Sequence, residues 1–369
     1  MKQLGNQIEG RKVDHIKICS EESVQARWIT TGFEDVFFVH KALPEIERNK
    51  IDLSTVVFDH EFSAPLLVGA MTGGAAEALK INAAIAEAVE KLGLGMGVGS
   101  QRAAIEDPKL IDSFAIVREK APTAFLVANI GGPQLVSGYG VKEAKKAVEM
   151  LEADALAIHL NPLQEAVQPE GETKYSGVLR KIGEITQALE VPVIVKETGA
   201  GIAAEEAKML EEAGVAGIDV AGVGGTSWAA VEYHRAKRVR DEFRQRLGET
   251  FWDWGIPTAV SLVEVVQSVH LPVIASGGIR YGTDIAKSLA LGASLASMSS
   301  PILQPATKGP EEVTKSLQFV IEELRNAMFL TGAGSIQKLQ KAPVVLTGKT
   351  AEWLRMRGFQ PELYARRKA

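Results

Sequence analysis

The sequence predicts an α/β protein built as a (β/α)8 TIM barrel with an N-terminal arm and an insertion between strands 6 and 7. Eight short apolar segments recur along the chain, and helix-like stretches alternate with them. Each apolar segment ends in glycine or polar residues, as strands do before a loop. Eight alternating strands and helices are the number that closes this barrel. An open doubly wound sheet is disfavoured because no single glycine fingerprint dominates near the N-terminus.

The predicted strands lie in the middle of the chain. We place them at residues 65–73, 93–101, 124–131, 155–162, 192–199, 217–225, 272–278 and 294–300. Good helix formers and an apolar face predict helices after the first, fifth and seventh strands. These helices are expected at residues 75–93, 202–214 and 283–292.

Three regions follow from this arrangement. Residues 1–64 are expected to form the arm and the lead-in to the barrel, and residues 65–305 the barrel itself. Residues 306–369 are expected to form a helical extension packed on the barrel, because an apolar stripe runs along 317–332.

The insertion spans residues 226–270 and has two parts. A charged helix is expected at 231–248, with the charges from Lys237 to Arg246 facing solvent. The aromatic segment 251–255 that follows is open to three interpretations: core, lid or subunit contact.

Composition limits the classes of partner. The chain of 369 residues has 41 Lys and Arg against 46 Asp and Glu, a net charge of −5, and no basic domain, so nucleic acid is not expected as a partner. The single cysteine, Cys19, excludes an internal disulfide and fits a reducing compartment. No signal core or membrane-spanning apolar run is found. We expect a soluble cytoplasmic protein that does not bind membranes.

The strongest local signal for a ligand is the glycine-rich turn after strand 7. Gly277 and Gly278 would let backbone N–H groups approach a phosphate, and the helix from about Gly282 would aim its positive end at the same place. The loop after strand 8 adds hydroxyl groups, and these two loops often form the phosphate site of such barrels. The turn at residues 224–226 is a weaker signal for the other side of the same phosphate.

Three further features leave alternatives open. Lys196 is at the end of strand 5. Its side chain either stabilises negative charge on a cofactor or pairs with Glu197 or Asp219. Glu165 is either a Mg²⁺ ligand or a charge at a helix N-terminus. The basic segment 11–16 is either a tail or a strap that joins Arg102 over an anionic substrate.

Eight motifs in order carry a resemblance to a known family. They are RKVDHI at 11–16, AMTGG at 70–74, GVGSQR at 97–102, NIGGPQ at 129–134, HLNPLQE at 159–165, VKETGAG at 195–201, DVAGVGGTSW at 219–228 and SGGIRYGTDIAK at 276–287. With these motifs the chain resembles the type 2, FMN-dependent isopentenyl diphosphate isomerases, and its overall look is archaeal.

The resemblance implies a reaction and its cofactors. Members of the family interconvert isopentenyl diphosphate and dimethylallyl diphosphate on a (β/α)8 barrel, using reduced FMN and Mg²⁺ with NADPH or NADH as reductant. The substrate is thus a small diphosphate of isoprenoid biosynthesis. The family also implies a homotetramer or homo-octamer.

The resemblance also implies roles for individual residues. FMN would be bound by Ala70, Met71, Thr72, Ser100, Asn129, Lys196, Thr226, Gly278, Ile279, Arg280, Ser299 and Ser300. The substrate diphosphate would be bound by Arg11, Lys12, Ser100, Gln101, Arg102 and Gln164. Glu165 would ligate Mg²⁺, and Lys196, His159 and Gln164 would assist reduced FMN, the expected acid and base. Trp228 and Glu232 match family positions without a clear role.

One departure from the family pattern and three rival functions bear on this expectation. The eighth strand reads GASLASMSSP, with serine where the family has smaller residues, which bears on Ser299 and Ser300. An FMN oxidoreductase of the 2-hydroxyacid oxidase type is the first rival, but it uses a histidine where this chain has Ser276, Gly277 and Gly278. A non-catalytic flavin-binding barrel is the second. An inosine monophosphate dehydrogenase-like enzyme is disfavoured because Cys19 is far from every predicted strand end.

Overall fold

A closed barrel of eight parallel strands is the centre of the molecule, as the sequence predicts. The structure, a computed structural model, describes residues 14–367, apart from the side chain of Ala76. The strands are β1 (Val36–Phe38), β2 (Thr55–Val57), β3 (His60–Phe62), β4 (Leu66–Val68), β5 (Gly95–Gly97), β6 (Phe125–Gly131), β7 (Ala155–His159), β8 (Val193–Lys196), β9 (Gly217–Asp219), β10 (Val273–Ala275), β11 (Leu295–Met298) and β12 (Val344–Leu346). Strands β4 to β11 form the barrel in chain order, and β11 pairs with β4 to close it.

Helices separate the barrel strands and continue beyond them. They are α1 (14–21), α2 (Ala76–Leu92), α3 (Arg102–Glu106), α4 (Asp112–Lys120), α5 (Gly132–Val136), α6 (Val141–Leu151), α7 (Pro162–Val167), α8 (Val178–Thr186), α9 (Ala204–Glu212), α10 (Trp228–Arg238), α11 (Glu242–Thr250), α12 (Thr258–Val266), α13 (Gly282–Leu291), α14 (Ser300–Lys308), α15 (Pro310–Thr331), α16 (Ile336–Gln340), α17 (Gly348–Met356) and α18 (Glu362–Ala365). Among residues 14–367, none of them is both long and apolar enough to cross a membrane.

The predicted strands and helices are confirmed, with one exception. Every barrel strand lies inside its predicted range but is shorter, and in all of them except β6 the last residues of the range already belong to the loop. The charged helix predicted at 231–248 is wrong as a single element. It divides into α10 and α11 at Arg240, whose φ of 60° is left-handed, and the Asp241 carboxylate then caps α11 by accepting the Arg244 N–H at 3.0 Å.

The amino end of the barrel is closed by the β2–β3 hairpin. Phe58 at its turn stacks on Phe125 with ring centroids 5.8 Å apart, and Phe62 meets the same ring edge-on at 5.4 Å. These aromatic rings fill one mouth of the barrel with apolar side chains. The opposite mouth, at the carboxyl ends of the strands, is therefore the one left for a ligand.

Helix α1 packs on the insertion through a small apolar cluster. Ile18 and Val24 are buried against Ala230, Val231 and Trp252. The Trp252 ring is covered by the guanidinium of Arg27, 3.4 Å from its centroid. The aromatic segment 251–255 is thus core at Trp252, whereas Trp254 is 63% exposed.

The carboxyl-terminal residues pack on the outside of the barrel and reach back to the lead-in. Strand β12 pairs antiparallel with β1, and helix α17 is tied to α12 through Glu264. The Glu264 side chain is 1% exposed and accepts hydrogen bonds from Trp353 Nε1 at 3.2 Å and Arg357 Nε at 3.1 Å. Removal of a buried carboxylate that accepts several hydrogen bonds leaves its donors unsatisfied and lowers the stability of the fold.

We expect Glu264→Ala to destabilise the protein. The substitution leaves the Trp353 N–H without its acceptor and removes a buried carboxylate that pairs with the partly exposed Arg357, a loss of about 1 to 3 kcal/mol. Thermal unfolding followed by circular dichroism measures the effect. Arg355→Ala is the control, because the Arg355–Glu362 pair is largely exposed and solvent screens its contribution to stability. Equal unfolding midpoints for the two variants would refute the assigned role of Glu264.

Candidate functional site

One large cavity opens at the carboxyl ends of the barrel strands. It encloses about 280 Å³, near the lower end of the ~300–1000 Å³ typical of small-molecule sites. All eight barrel strands, or the loops directly after them, contribute to its wall. Predicted residues in the wall are Ala70, Met71, Thr72, Ser100, Arg102, Asn129, His159, Gln164, Glu165, Lys196, Thr226, Trp228, Gly278, Ile279, Arg280, Ser299 and Ser300.

A row of register partners forms the rim between β6 and β9. Gly131 pairs with His159, His159 with Lys196, and Lys196 with Asp219 across the neighbouring parallel strands. Because register partners lie side by side, an imidazole, an ammonium and a carboxylate group follow one another around the mouth. The sequence predicts Lys196 and His159 at strand ends, and the register shows that they are neighbours.

The Lys196 ammonium is held by the backbone. Its Nζ donates to the carbonyl oxygen of Glu197 at 2.6 Å. The Glu197 carboxylate is buried and accepts the N–H groups of residues 198–200, which fixes the loop after β8. Burial raises the pKa of Glu197 to about 7, although the three N–H donors and the Lys196 charge act in the opposite direction. Lys196 is therefore a cation anchored at the cavity wall.

Asp219 is the buried carboxylate next to Lys196. It accepts a short hydrogen bond from Ser276 Oγ. Burial raises the pKa of Asp219, and the charge of Lys196 and the Ser276 hydrogen bond oppose that rise. Both Asp219 and Ser276 line the cavity, so strands β8, β9 and β10 present one connected polar surface.

His159 is oriented by Asn129. The Asn129 Nδ2 donates to the Val98 carbonyl oxygen at 3.0 Å, which leaves its Oδ1 as the acceptor 2.8 Å from His159 Nδ1. Neutral His159 thus carries its proton on Nδ1. Asn129, predicted to bind FMN, and His159, predicted to assist catalysis, are thus one hydrogen-bonded pair.

The glycine-rich loops after β9 and β10 form a tight cradle at one end of the cavity. Gly277 and Gly278 have φ values of 97° and 74°, a backbone conformation that favours glycine. A Cβ on Gly225 would lie 2.5 Å from the Gly278 nitrogen, so the two loops touch through their backbones. Among residues 14–367, the N–H groups of Gly278 and Ile279 have no protein acceptor. Such free N–H groups suit an anion.

The predicted contribution of the α13 N-terminus to this cradle is wrong. The Arg280 and Tyr281 N–H groups donate to Asp284 Oδ2 at 3.0 and 3.1 Å, and the Gly282 N–H donates to Glu323 Oε2 at 2.7 Å. Two carboxylates therefore already satisfy the positive end of the helix. The positive side chain at this end is instead Arg280, which also donates to Gln25 Oε1.

Glu165 lies at the other end of the cavity, on α7. The residue is 8% exposed. Its carboxylate accepts hydrogen bonds from Asn161 Nδ2 at 2.9 Å and from the Glu172 N–H at 2.6 Å. Gln168 Nε2 donates to the same carboxylate, while Gln168 Oε1 is buried without a hydrogen-bond partner among the described residues. Glu165 is therefore an oriented carboxylate with an unsatisfied oxygen beside it.

Arg102 faces this end of the cavity between two carboxylates. Its Nε donates to Glu106 Oε1 at 2.9 Å, and its Nη1 donates to Glu172 Oε1 at 2.6 Å. Gln134 Nε2 donates to the other oxygen of Glu172 at 3.2 Å. The sequence identifies Arg102 but gives no sign of Glu172, which comes from the loop after α7.

A chain of polar side chains links Glu165 to α1. Asn161 Nδ2 also donates to Gln164 Oε1 at 3.0 Å, and Gln164 Nε2 donates to Glu232 Oε1 at 3.2 Å. The same Glu232 oxygen lies 3.2 Å from His15 Nε2. Burial raises the pKa of Glu232, but the hydrogen bond and charge of His15 and the charge of Arg235 outweigh it and hold that pKa below its usual value. Glu232, which the sequence left without a role, connects the insertion to the site.

Of the predicted substrate contacts, one is contradicted and two are not tested. The Gln101 side chain is fully buried away from the cavity, where Nε2 donates to the Ala147 carbonyl oxygen at 2.8 Å and Oε1 accepts the Asn129 N–H at 2.8 Å. This placement contradicts the expected substrate contact and makes Gln101 a brace for β6. Arg11 and Lys12 lie outside the described residues.

Cys19 is not remote from the site. Helix α1 folds over the barrel mouth, so that Cys19 lines the cavity together with His15 and Ile16. Burial and the nearby Glu232 raise the pKa of its thiol to about 12, which keeps it a neutral apolar group. Sequence distance misled the expectation, because a helix in the arm can pack on any strand end.

Comparisons with known proteins agree with this architecture. The model of the FMN-dependent dehydrogenase family matches residues 5–112 and 137–346. Among solved structures, a flavocytochrome b2 mutant is 19% identical with a TM-score of 0.64, covering 95% of this chain and 86% of that one. A lactate oxidase of Pediococcus acidilactici is 18% identical with a TM-score of 0.63, covering 94% of both chains. At these identities the likeness shows the fold alone.

Curated relatives are much more similar in sequence. The isopentenyl-diphosphate delta-isomerase of Methanosarcina acetivorans is 52% identical, covering 98% of both chains. That of Methanothermobacter thermautotrophicus is 51% identical over 98% of this chain and 99% of its own, and that of Pyrococcus furiosus is 52% identical over 94% and 89%. The chain therefore belongs to the FMN-dependent dehydrogenase family and, within it, to the type 2 isopentenyl-diphosphate delta-isomerases.

Proposed function

We propose that this protein interconverts isopentenyl diphosphate and dimethylallyl diphosphate with reduced FMN and Mg²⁺. The observation that carries the proposal is a single cavity with an anion cradle at Gly278 and an oriented carboxylate, Glu165, at its other end. Lys196 and His159 lie on the rim between the two ends. The activity for which the archaeal relatives are named supports the same reaction.

The cradle fits the phosphate of FMN. Free N–H groups at Gly278 and Ile279, the Arg280 guanidinium and the hydroxyl groups of Ser299 and Ser300 are the donor types that a phosphate needs. The Lys196 ammonium, held at the rim, would face the electron-rich edge of the flavin ring and stabilise negative charge there.

The Glu165 end fits Mg²⁺ bound together with substrate. No group of three or more His, Cys, Asp or Glu suited to a metal occurs within residues 14–367, so a closed protein cage is absent from that part of the chain. Mg²⁺ commonly uses one or two carboxylates, waters and the oxygens of a bound phosphate. Glu165 and the unsatisfied Gln168 Oε1 supply hard oxygen donors of this kind.

Double-bond transposition requires one proton to be added to the substrate and another to be removed. Bound reduced FMN supplies the acid–base chemistry for this transfer and an electron-rich surface beside the cationic transition state. The protein fixes the substrate: Glu165 holds the metal, and Arg102 binds the diphosphate. His159, oriented by Asn129, and Gln164, bonded to Glu232, would then direct the hydrocarbon end toward the flavin.

Product analysis tests the proposal. Purified protein is incubated anaerobically with isopentenyl diphosphate, FMN, Mg²⁺ and NADPH, beside samples with oxidised flavin or without Mg²⁺. We expect dimethylallyl diphosphate only where the flavin is reduced and Mg²⁺ is present. Lactate replaces the diphosphate in a parallel sample. Flavin reduction by lactate, with no isomer from the diphosphate, would overturn the proposal in favour of a hydroxyacid oxidoreductase.

Gly225→Ala should weaken FMN binding. The added Cβ would lie 2.5 Å from the Gly278 nitrogen and would separate the two loops of the cradle. We expect the FMN dissociation constant, measured by fluorescence quenching, to rise at least about tenfold, or ~1.4 kcal/mol. The control is Gly334→Ala, since a Cβ on Gly334 meets nothing within 4 Å. Unchanged FMN affinity in the Gly225 variant would place the phosphate elsewhere.

Lys196→Ala should weaken FMN binding and make the bound flavin harder to reduce. Loss of the ammonium removes a positive charge beside the flavin, so we expect about tenfold weaker FMN binding and a lower reduction potential of the bound flavin. Lys287→Ala is a matched control because Lys287 also donates to a backbone carbonyl, Phe33 O at 2.7 Å, outside the cavity wall. Wild-type affinity and potential in the Lys196 variant would show that this lysine does not face the flavin.

A further inference from the structure

The charge of Arg102 is already balanced before any anion arrives. Its two hydrogen-bonded partners, Glu106 and Glu172, are both carboxylates, and the Arg102 side chain is only 23% exposed. The ion pair with Glu172, 2.6 Å from nitrogen to oxygen, places that carboxylate directly against the guanidinium.

Glu172 is the residue that joins Arg102 to the Glu165 end. Its carboxylate binds Arg102 and Gln134, while its N–H donates to Glu165 Oε2 at 2.6 Å. The insertion also holds the segment just before Glu172, because Glu170 Oε1 accepts a hydrogen bond from Arg235 Nη2 at 2.7 Å. The position of Glu172 is thus fixed from three sides.

The resulting cluster has a net negative charge. Among residues 14–367, the carboxylates joined to Arg102 directly or through Glu172 are three, those of Glu106, Glu172 and Glu165. A bare diphosphate would meet this excess of negative charge at close range, where partial burial strengthens the repulsion. A divalent cation beside Glu165 would reverse the balance. The buried, unpartnered Gln168 Oε1 is a further oxygen that such a cation or its water would satisfy.

We propose that Glu172 restricts this site to diphosphates that arrive with a divalent cation, by offsetting the charge of Arg102. The inference rests on the proposed function, since it takes the Glu165 end as the diphosphate site. Glu172 acts through Arg102 and does not itself ligate the metal. In its absence Arg102 would attract a bare diphosphate directly.

Calorimetric titration with inorganic diphosphate tests this role. The FMN-loaded protein is titrated in EDTA and in excess Mg²⁺. We expect Mg²⁺ to strengthen binding to the wild type strongly. In Glu172→Gln we expect binding in EDTA to be about fivefold tighter or more, because one negative charge beside Arg102 is removed. The strengthening by Mg²⁺ should shrink by a similar factor.

Two further variants separate charge from geometry. Glu172→Asp keeps the charge and should retain the wild-type dependence on Mg²⁺. Glu170→Gln removes a carboxylate from the same segment, where it pairs with Arg235 instead of Arg102, and should change binding in EDTA by less than about twofold. Thermal unfolding and FMN content verify that each variant is folded and loaded.

Three results would overturn the inference. Unchanged or weaker binding of Glu172→Gln in EDTA would show that Glu172 only orients Arg102. Loss of the Mg²⁺ effect through weaker binding in Mg²⁺, with binding in EDTA unaltered, would make Glu172 a metal ligand. Absence of diphosphate binding to the wild type in Mg²⁺ would remove the diphosphate site itself, and with it the proposed function.

Discussion

Closure of the barrel is the constraint on which the rest of the structure depends. Strand β11 pairs with β4 through Ala296 and Leu66, Ser297 and Leu67, and Met298 and Val68. Closure removes both sheet edges and brings every strand's carboxyl end to one rim. Side chains as far apart in the sequence as Ala70 and Ser300 then line one cavity. With the amino mouth filled by Phe58 and its aromatic neighbours, a ligand has one mouth to enter.

The segments added to the barrel complete that mouth. Helix α1 and the insertion meet in the cluster around Trp252, and His15 and Glu232 carry polar contacts from there to Gln164. The cavity therefore has two chemically different ends. The Gly278 cradle offers free backbone N–H groups, whereas the Glu165 end offers oxygen ligands with an excess of negative charge. Our proposal that a phosphate alone binds at the first end and a phosphate with a metal at the second rests on this contrast.

The barrel and the residues of its rim could be predicted from the sequence because both depend on local patterns. Apolar runs that end in polar residues mark each strand end, and closure brings those ends together. Side-chain direction could not be predicted in the same way. Gln101 follows the same pattern as Ser100, yet it is buried under β6, and the carboxylates that cap α13 come from Asp284 and from Glu323 on α15. The break at Arg240 places α11 against α10, a contact between helices that helical periodicity does not reveal, and Glu172 lies in a loop without periodicity.

A crystal structure of the protein with FMN, Mg²⁺ and isopentenyl diphosphate, grown anaerobically with the flavin reduced, tests the central claim most directly. The account predicts the FMN phosphate against Gly225 and Gly278, with Lys196 at the flavin ring. It predicts the metal on Glu165, with the substrate diphosphate between the metal and Arg102. A diphosphate in the glycine cradle, or a metal away from Glu165, would contradict the assignment of the two ends.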